Sequence, residues 1–171
     1  MLTQARLKEV LRYVPDSGEF FWLVSTSNRM PVGAKAGVVN NCYGAIGIDG
    51  VRYYSHRLAW LYVYGELPKH IDHINQDKTD NRISNLREAN KVQNGGNSKA
   101  RKSRSGLKGA CWHKASGRWV ARVQYDGRQI YLGLFDTAEE AHATYCCAAE
   151  ELYQEFFSSG NPGSQPGASA V

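Results

Sequence analysis

The stretch Gly95-Gly96-Asn97-Ser98-Lys99-Ala100-Arg101-Lys102-Ser103-Arg104-Ser105-Gly106 most limits what this chain can fold into. Glycine, serine and cations, with no large apolar side chain among them, have little to bury and behave as a linker. No single core is therefore expected to run through the 171 residues. The chain is read instead as two small modules, each with its own core. The net charge of +5 says little by itself, but its distribution is uneven. Residues 95–135 hold nine Lys and Arg against one Asp, and residues 136–171 hold no cation against six acids. A basic middle is the electrostatic footprint of a surface that follows phosphates. Lys99, Arg101, Lys102 and Arg104 are accordingly read as an arm lying along DNA, the plainer alternative being a solvated tether.

Composition removes other classes. No apolar run approaches the roughly 20 residues a membrane span needs, and Met1–Arg6 lacks the apolar stretch of a signal peptide. Neither a membrane nor a small-molecule partner is expected. Cys42, Cys111, Cys146 and Cys147 form no Cys-x-x-Cys pair and two of them are adjacent, so reduced thiols in a cytoplasmic protein are expected.

Ahead of the linker, Thr3 can cap a helix carrying Leu7, Val10, Leu11 and Val14 on one face. Glu19–Val24 reads as a strand, and Gly-punctuated segments at 36–40, 43–48 and 51–54, with Asp49-Gly50 as a hairpin signal, read as a meander. Arg29, Lys35 and Arg52 are its possible DNA contacts. Ser55 can cap a helix from His56 to Tyr64 that Gly65 ends. His56 has two readings there, a metal or phosphate contact or a structural histidine, and Arg57 is the better phosphate clamp.

The chemistry concentrates in residues 72–94. Asp72-His73 is followed by Asn85 twelve residues after the histidine and by Asn94 nine residues later, with turn formers between. Leu86, Ala89 and Val92, three apart, predict a helix from Ser84 with Asn94 at its end. A carboxylate, an amide oxygen and an imidazole suit a divalent ion plus a general base for cutting a phosphodiester. Taken with Ser55-His56-Arg57-Leu58-Ala59-Trp60, these residues resemble the HNH endonucleases of the ββα-metal fold, in their phage and intron-encoded form. The resemblance implies that Asp72 and Asn94 hold the metal, that His73 takes a proton from the attacking water, and that Asn85 orients His73. The third motif residue is Asn94 rather than His; an amide oxygen is a hard ligand, which favours Mg2+ or Mn2+ over zinc.

After the linker, Arg118–Gln124 alternates with period two, Trp119, Ala121 and Val123 on one side and Arg118, Val120, Arg122 and Gln124 on the other. Asp126-Gly127 is a hairpin turn and Gln129–Phe135 the returning strand; with Lys108–His113 this makes a three-stranded antiparallel sheet. Thr137-Ala138-Glu139-Glu140 opens a helix that packs on it. The outer face of that helix is acidic, so the polar face of the sheet should meet DNA. Ser105–Gly109, Gly117–Ala121 and Tyr131–Ala141 resemble the plant APETALA/ethylene-response-factor domain, which implies a sheet in the major groove. Carried over by position, its DNA face is Lys108, His113, Arg118, Arg122, Gln124, Gln129 and Tyr131, with Arg122 and Gln124 for base edges.

The expected fold class is α+β, a small ββα-metal nuclease module plus a three-stranded sheet on one helix. The expected borders are a supporting meander at 1–54, the nuclease core at 55–97, the linker at 98–106, the sheet-plus-helix domain at 107–157 and a disordered tail at 158–171. Function is expected to be site-specific cutting of double-stranded DNA by a homing endonuclease, in the host cytoplasm if phage-encoded. The alternatives are a non-cutting regulator with a decayed nuclease module and an RNA-directed nuclease, the latter disfavoured by the lack of an exposed aromatic pair.

Overall fold

A computed structural model describes residues 2–25, 31–40, 42–100 and 103–160. They form two compact units, Met1–Glu88 and Ala89–Val171, so the expected nuclease core at 55–97 contributes to both.

In the first unit Thr3 caps α1 (Gln4–Val10) by accepting from the Arg6 amide, which satisfies one of the amides a helix start leaves open. The helix stops short of its expected length. Leu11–Val14 is strand β1, paired antiparallel with β2 (Glu19–Trp22). Leu11 satisfies both a helical and an alternating pattern, and the aromatic, β-branched content of 11–14 decides for the strand. β2 also pairs with β3 (Lys35–Ala36). A second sheet follows, β4 (Val38–Asn40), β5 (Tyr43–Ile48) and β6 (Val51–Tyr54). Its hairpin turn, Asp49-Gly50, holds both residues at positive φ, as the right-handed strand twist requires. Helix α2 (Ser55–Tyr64) ends at Gly65 in the left-handed conformation. Ser55 is not its cap: Tyr54 occupies that position, and Ser55 is the buried first residue. Leu7, Leu11, Phe20, Ile46 and Leu58 form the heart of this core.

Strands β7 (Ile71–His73) and β8 (Leu86–Glu88) pair antiparallel, Asp72 opposite Arg87 and His73 opposite Leu86. The helix expected from Ser84 does not form. A 3-10 turn at Ile83–Asn85 leads into β8, and a separate helix, α3 (Lys91–Gly96), begins at Asn90 with a reciprocal cap to Gln93. Leu86 is buried in the first core while Ala89 and Val92 pack in the second. Their three-residue spacing therefore joins residues with different destinations.

The second unit holds β9 (Ala110–His113), β10 (Arg118–Tyr125) and β11 (Arg128–Phe135), in the order β11-β10-β9. Helix α4 (Ala138–Tyr153) is capped by Thr137 and Glu140 as the sequence indicates. Ala110, Ala121 and Ala141 meet where helix and sheet approach; Val123, Tyr145, Ala149, Tyr153 and Phe156 fill the rest, joined by Ala89 and Val92. Ala121 pairs with Gly133 but Arg122 pairs with Tyr131, so Leu132 is an extra residue in β11. This bulge turns Leu132 into the core and carries Tyr131 beside Arg122. All four cysteines are free thiols. Among the described residues no helix is long and apolar enough to cross a membrane.

Candidate functional site

The β7–β8 hairpin places Asp72 and His73 side by side, both buried. Arg87, directly across the ladder, grips one carboxylate oxygen: Nε donates to Asp72 Oδ2 at 3.0 Å and a terminal nitrogen lies 2.9 Å from it. A charged pair so little exposed to water fixes the carboxylate firmly. Arg87 follows Asn85-Leu86 in the chain, but its role becomes visible only once the register sets it against Asp72. Burial holds the His73 pKa below the usual histidine value, opposed by an interaction with Asn81 and by the charges of Asp72, Asp77 and Asp80. The ring is therefore in its neutral, proton-accepting form at pH 7.

Asn85 takes a different part from the one expected. Its Oδ1 accepts from the Asn75 amide at 3.0 Å and its Nδ2 donates to Asp80 O at 2.9 Å, which ties the 75–85 loop shut. Buried Asn81 acts to raise the His73 pKa, and its own Nδ2 donates to Thr79 O at 2.9 Å. Asn81 is held through its backbone: the Tyr13 hydroxyl donates to its carbonyl at 2.7 Å. Gly18 packs so closely that a Cβ there would stand 2.5 Å from Arg82 N. Within the loop, Asp77 and Asp80 accept from Thr79 and Arg82.

A second imidazole stands at the site. The His56 ring is 5.2 Å from that of His73, edge to face, and lies against Tyr54 at 5.7 Å and Tyr43 at 5.5 Å. Burial foremost, with the charges of His73 and Arg57, brings its pKa down to about 4. Unfolded, this histidine takes up a proton near pH 6.5; folded, it does not until about pH 4. Stability is then complete above pH 6.5 and lost as pH falls toward 4, by at most about 3 kcal/mol for this group. Urea melts of the wild type and His56→Phe at pH 7.5 and 5 should show the wild type losing more stability on acidification. Parallel losses would refute it. Arg57, the expected phosphate clamp, is half-buried and donates to Pro68 O at 3.2 Å.

Among the described residues no group of three or more His, Cys, Asp or Glu could hold a metal. Asp72 nonetheless fits one ligand of a hard cation, a buried carboxylate gripped by Arg87 through one oxygen. Asn94 lies on α3, in the second unit, its amide donating to Asn90 O.

In the second unit the ladder sets Arg118 across from His113, Arg122 from Tyr131 and Gln124 from Gln129. With period two, all six fall on the face turned away from α4. Arg122 contacts Gln129 Oε1 at 3.3 Å, Arg118 pairs with Asp136 at 2.8 Å, His113 meets Ser116 Oγ at 2.7 Å, and Tyr131 is 59% exposed. The face thus presents polar groups already splayed toward solvent. Val120, expected with them, is buried between Cys111 and Leu134. Arg122→Ala should blunt sequence preference by about 1–3 kcal/mol per base pair read and leave the metal requirement alone. Selection from a randomised duplex pool checks this, and an unchanged preference would remove Arg122 from base reading.

Lys108 departs from its expected place on that face. Its ammonium is half-buried and donates to Gly96 O at 2.7 Å and Ser158 O at 2.9 Å, and burial lowers its pKa to about 8. It is a strut between backbone segments. In the linker, Lys99 is exposed, and the Arg104 guanidinium sits 4.6 Å over the Trp112 ring. Lys35 pairs with Glu19 and Arg52 is exposed. Arg29, Arg101 and Lys102 lie outside the described residues.

Comparison with known families agrees with these two constellations. Residues 53–95 match the HNH endonuclease family model and residues 105–155 that of the AP2 domain. The chain thus carries an HNH endonuclease domain followed by an AP2 domain. It is also similar to Protein 3.8 of Escherichia phage T7, 38% identical over 77 residues. That similarity spans 43% of this chain and 64% of the phage protein, just under two thirds of its length. No solved structure gives a significant match.

Proposed function

We propose that the chain is a site-specific double-stranded DNA endonuclease of the homing type, in which the C-terminal sheet selects the site and the β7–β8 hairpin cuts. The observation that carries the reading is a neutral, buried His73 beside a carboxylate fixed by Arg87, inside a segment matching the HNH endonucleases. That match takes in Asp72, His73, Asn85 and Asn94. Asp72 is assigned as metal ligand on geometry and sequence, Asn94 on the family resemblance alone. A bound divalent ion, Mg2+ or Mn2+, supplies charge neutralisation at the scissile phosphate and the leaving 3′ oxygen. His73 accepts a proton from the attacking water. Arg87 keeps Asp72 in place, and Asn85 keeps the loop closed over its own backbone. The products are then 5′-phosphate and 3′-hydroxyl ends. Tethering the cutter to a reader raises its concentration near the chosen sequence.

The test is supercoiled plasmid and pooled phage genomic DNA incubated with the protein in Mg2+ or Mn2+, against EDTA. Nicked or linear product that appears only with metal is the expected result. Retention of DNA without cutting on either substrate would favour the non-catalytic regulator.

A further inference from the structure

The two ring nitrogens of His56 stand in different surroundings. Nδ1 is buried and meets no hydrogen-bond partner in the structure. A buried N–H without a partner is rarer than an under-satisfied acceptor, so the proton belongs on Nε2, and Nδ1 is a bare lone pair. Among the described residues no acceptor bonds Nε2, and it is not one of the buried, unpartnered atoms, which leaves it as the accessible N–H. The ring cannot easily turn, because it is stacked on Tyr54 at an interplanar angle of 15° and lies against Tyr43. Its backbone is equally fixed: a Cβ on Gly44 would stand 2.7 Å from Ser55 Oγ, so β5 presses on the first residue of α2. A rigid donor is thus held edge to face with the proposed general base, at 5.2 Å between ring centres.

We propose that His56 is a second functional imidazole of this site, its Nε2–H donating to a non-bridging oxygen of the scissile phosphodiester while His73 handles the water. The inference rests on the nuclease reading above. A neutral donor suits the position, since a second cation beside His73 would oppose the protonation that His73 undergoes as base. A fixed donor aimed at an oxygen that gains charge in the transition state acts on rate more than on binding.

The experiment uses the full chain as wild type, His56→Phe, which keeps the ring without a donor, and His56→Gln, which keeps an N–H near the Nε2 position. Each cuts supercoiled plasmid or pooled phage DNA under single-turnover conditions with Mg2+ or Mn2+. Retention of the same DNA in EDTA, the melting midpoint at pH 7.5 and the ring 15N spectrum are recorded alongside. His56→Phe should cut about 100-fold slower with retention and melting unchanged, and His56→Gln should recover most of the rate. The 15N spectrum of the wild type should show the His56 proton on Nε2. A proton on Nδ1, full-rate cutting by His56→Phe, no recovery in His56→Gln, or a rate loss matched by a lowered melting midpoint would each overturn the role. A wild type that cuts neither substrate would overturn the nuclease reading and this inference together. A wild type that cuts no faster than His56→Phe would overturn this inference alone.

Discussion

His73→Ala is expected to bind DNA as the wild type does and to cut it roughly 10²- to 10⁴-fold more slowly, the usual worth of a general base. The separation follows from where the residue lies. His73 is 6% exposed, inside a hairpin, and is held below its ordinary pKa by burial, so it contributes no positive charge to a DNA-facing surface at pH 7. Affinity is expected to come from elsewhere, from exposed cations and the outer face of the C-terminal sheet. Plasmid cutting and filter retention on the same preparation check both halves. A drop in retention as large as the drop in cutting would mean that His73 is a binding residue and that the base must be sought elsewhere.

The second large effect is on stability. Gly109→Ala should cost the second unit on the order of 3 kcal/mol, from a left-handed backbone position and an overpacked core. Gly109 has φ of 80°, and a Cβ there would lie 2.0 Å from Cγ of Tyr145, whose ring is buried under the sheet. Small domains have roughly 5–15 kcal/mol in all, so the loss should be plain in a urea melt followed by Trp112 and Trp119 fluorescence. Gly117→Ala is the control: φ is 65°, but nothing stands within 4 Å of its Cβ position. Equal losses in the two variants would show that backbone conformation alone matters and that the Tyr145 contact is slack.

What could be read from the sequence divides along physical lines. Features set by neighbours in the chain were legible, namely the Thr3 cap, the Thr137–Glu140 box, both positive-φ hairpin turns and, buried Val120 apart, the period-two faces of β10. Features set by partners far away were not. Leu11 and Leu86 each fit a helical pattern and each became strand, because a pairing strand supplied a ladder that the local pattern could not foresee. Lys108 counts as one more cation in a basic run, yet two carbonyls from distant segments capture its ammonium. At the site, the motif spacing brought Asp72, His73 and Asn85 into one hairpin, but it could not tell which groups the Asn85 amide bonds. Asn81 and Asn85 are both loop asparagines of the same length. The closed loop bonds Asn85 to Asn75 and Asp80 and buries Asn81, which donates to Thr79 O.

The Tyr13 hydroxyl bond to the Asn81 carbonyl, the close packing of Gly18 and the Ile83 amide bond to Pro15 have a bearing on how the proposed nuclease site can be moved between proteins. The family match begins at residue 53, yet the loop that follows His73 is braced from residues 13–18. A cassette trimmed to the recognisable motif would carry every chemical group and leave behind the scaffold that aims them. The transferable part is therefore residues 1–52 together with the matched motif through Asn94, and variation in the first β-hairpin is a route by which otherwise identical motifs would come to differ in rate.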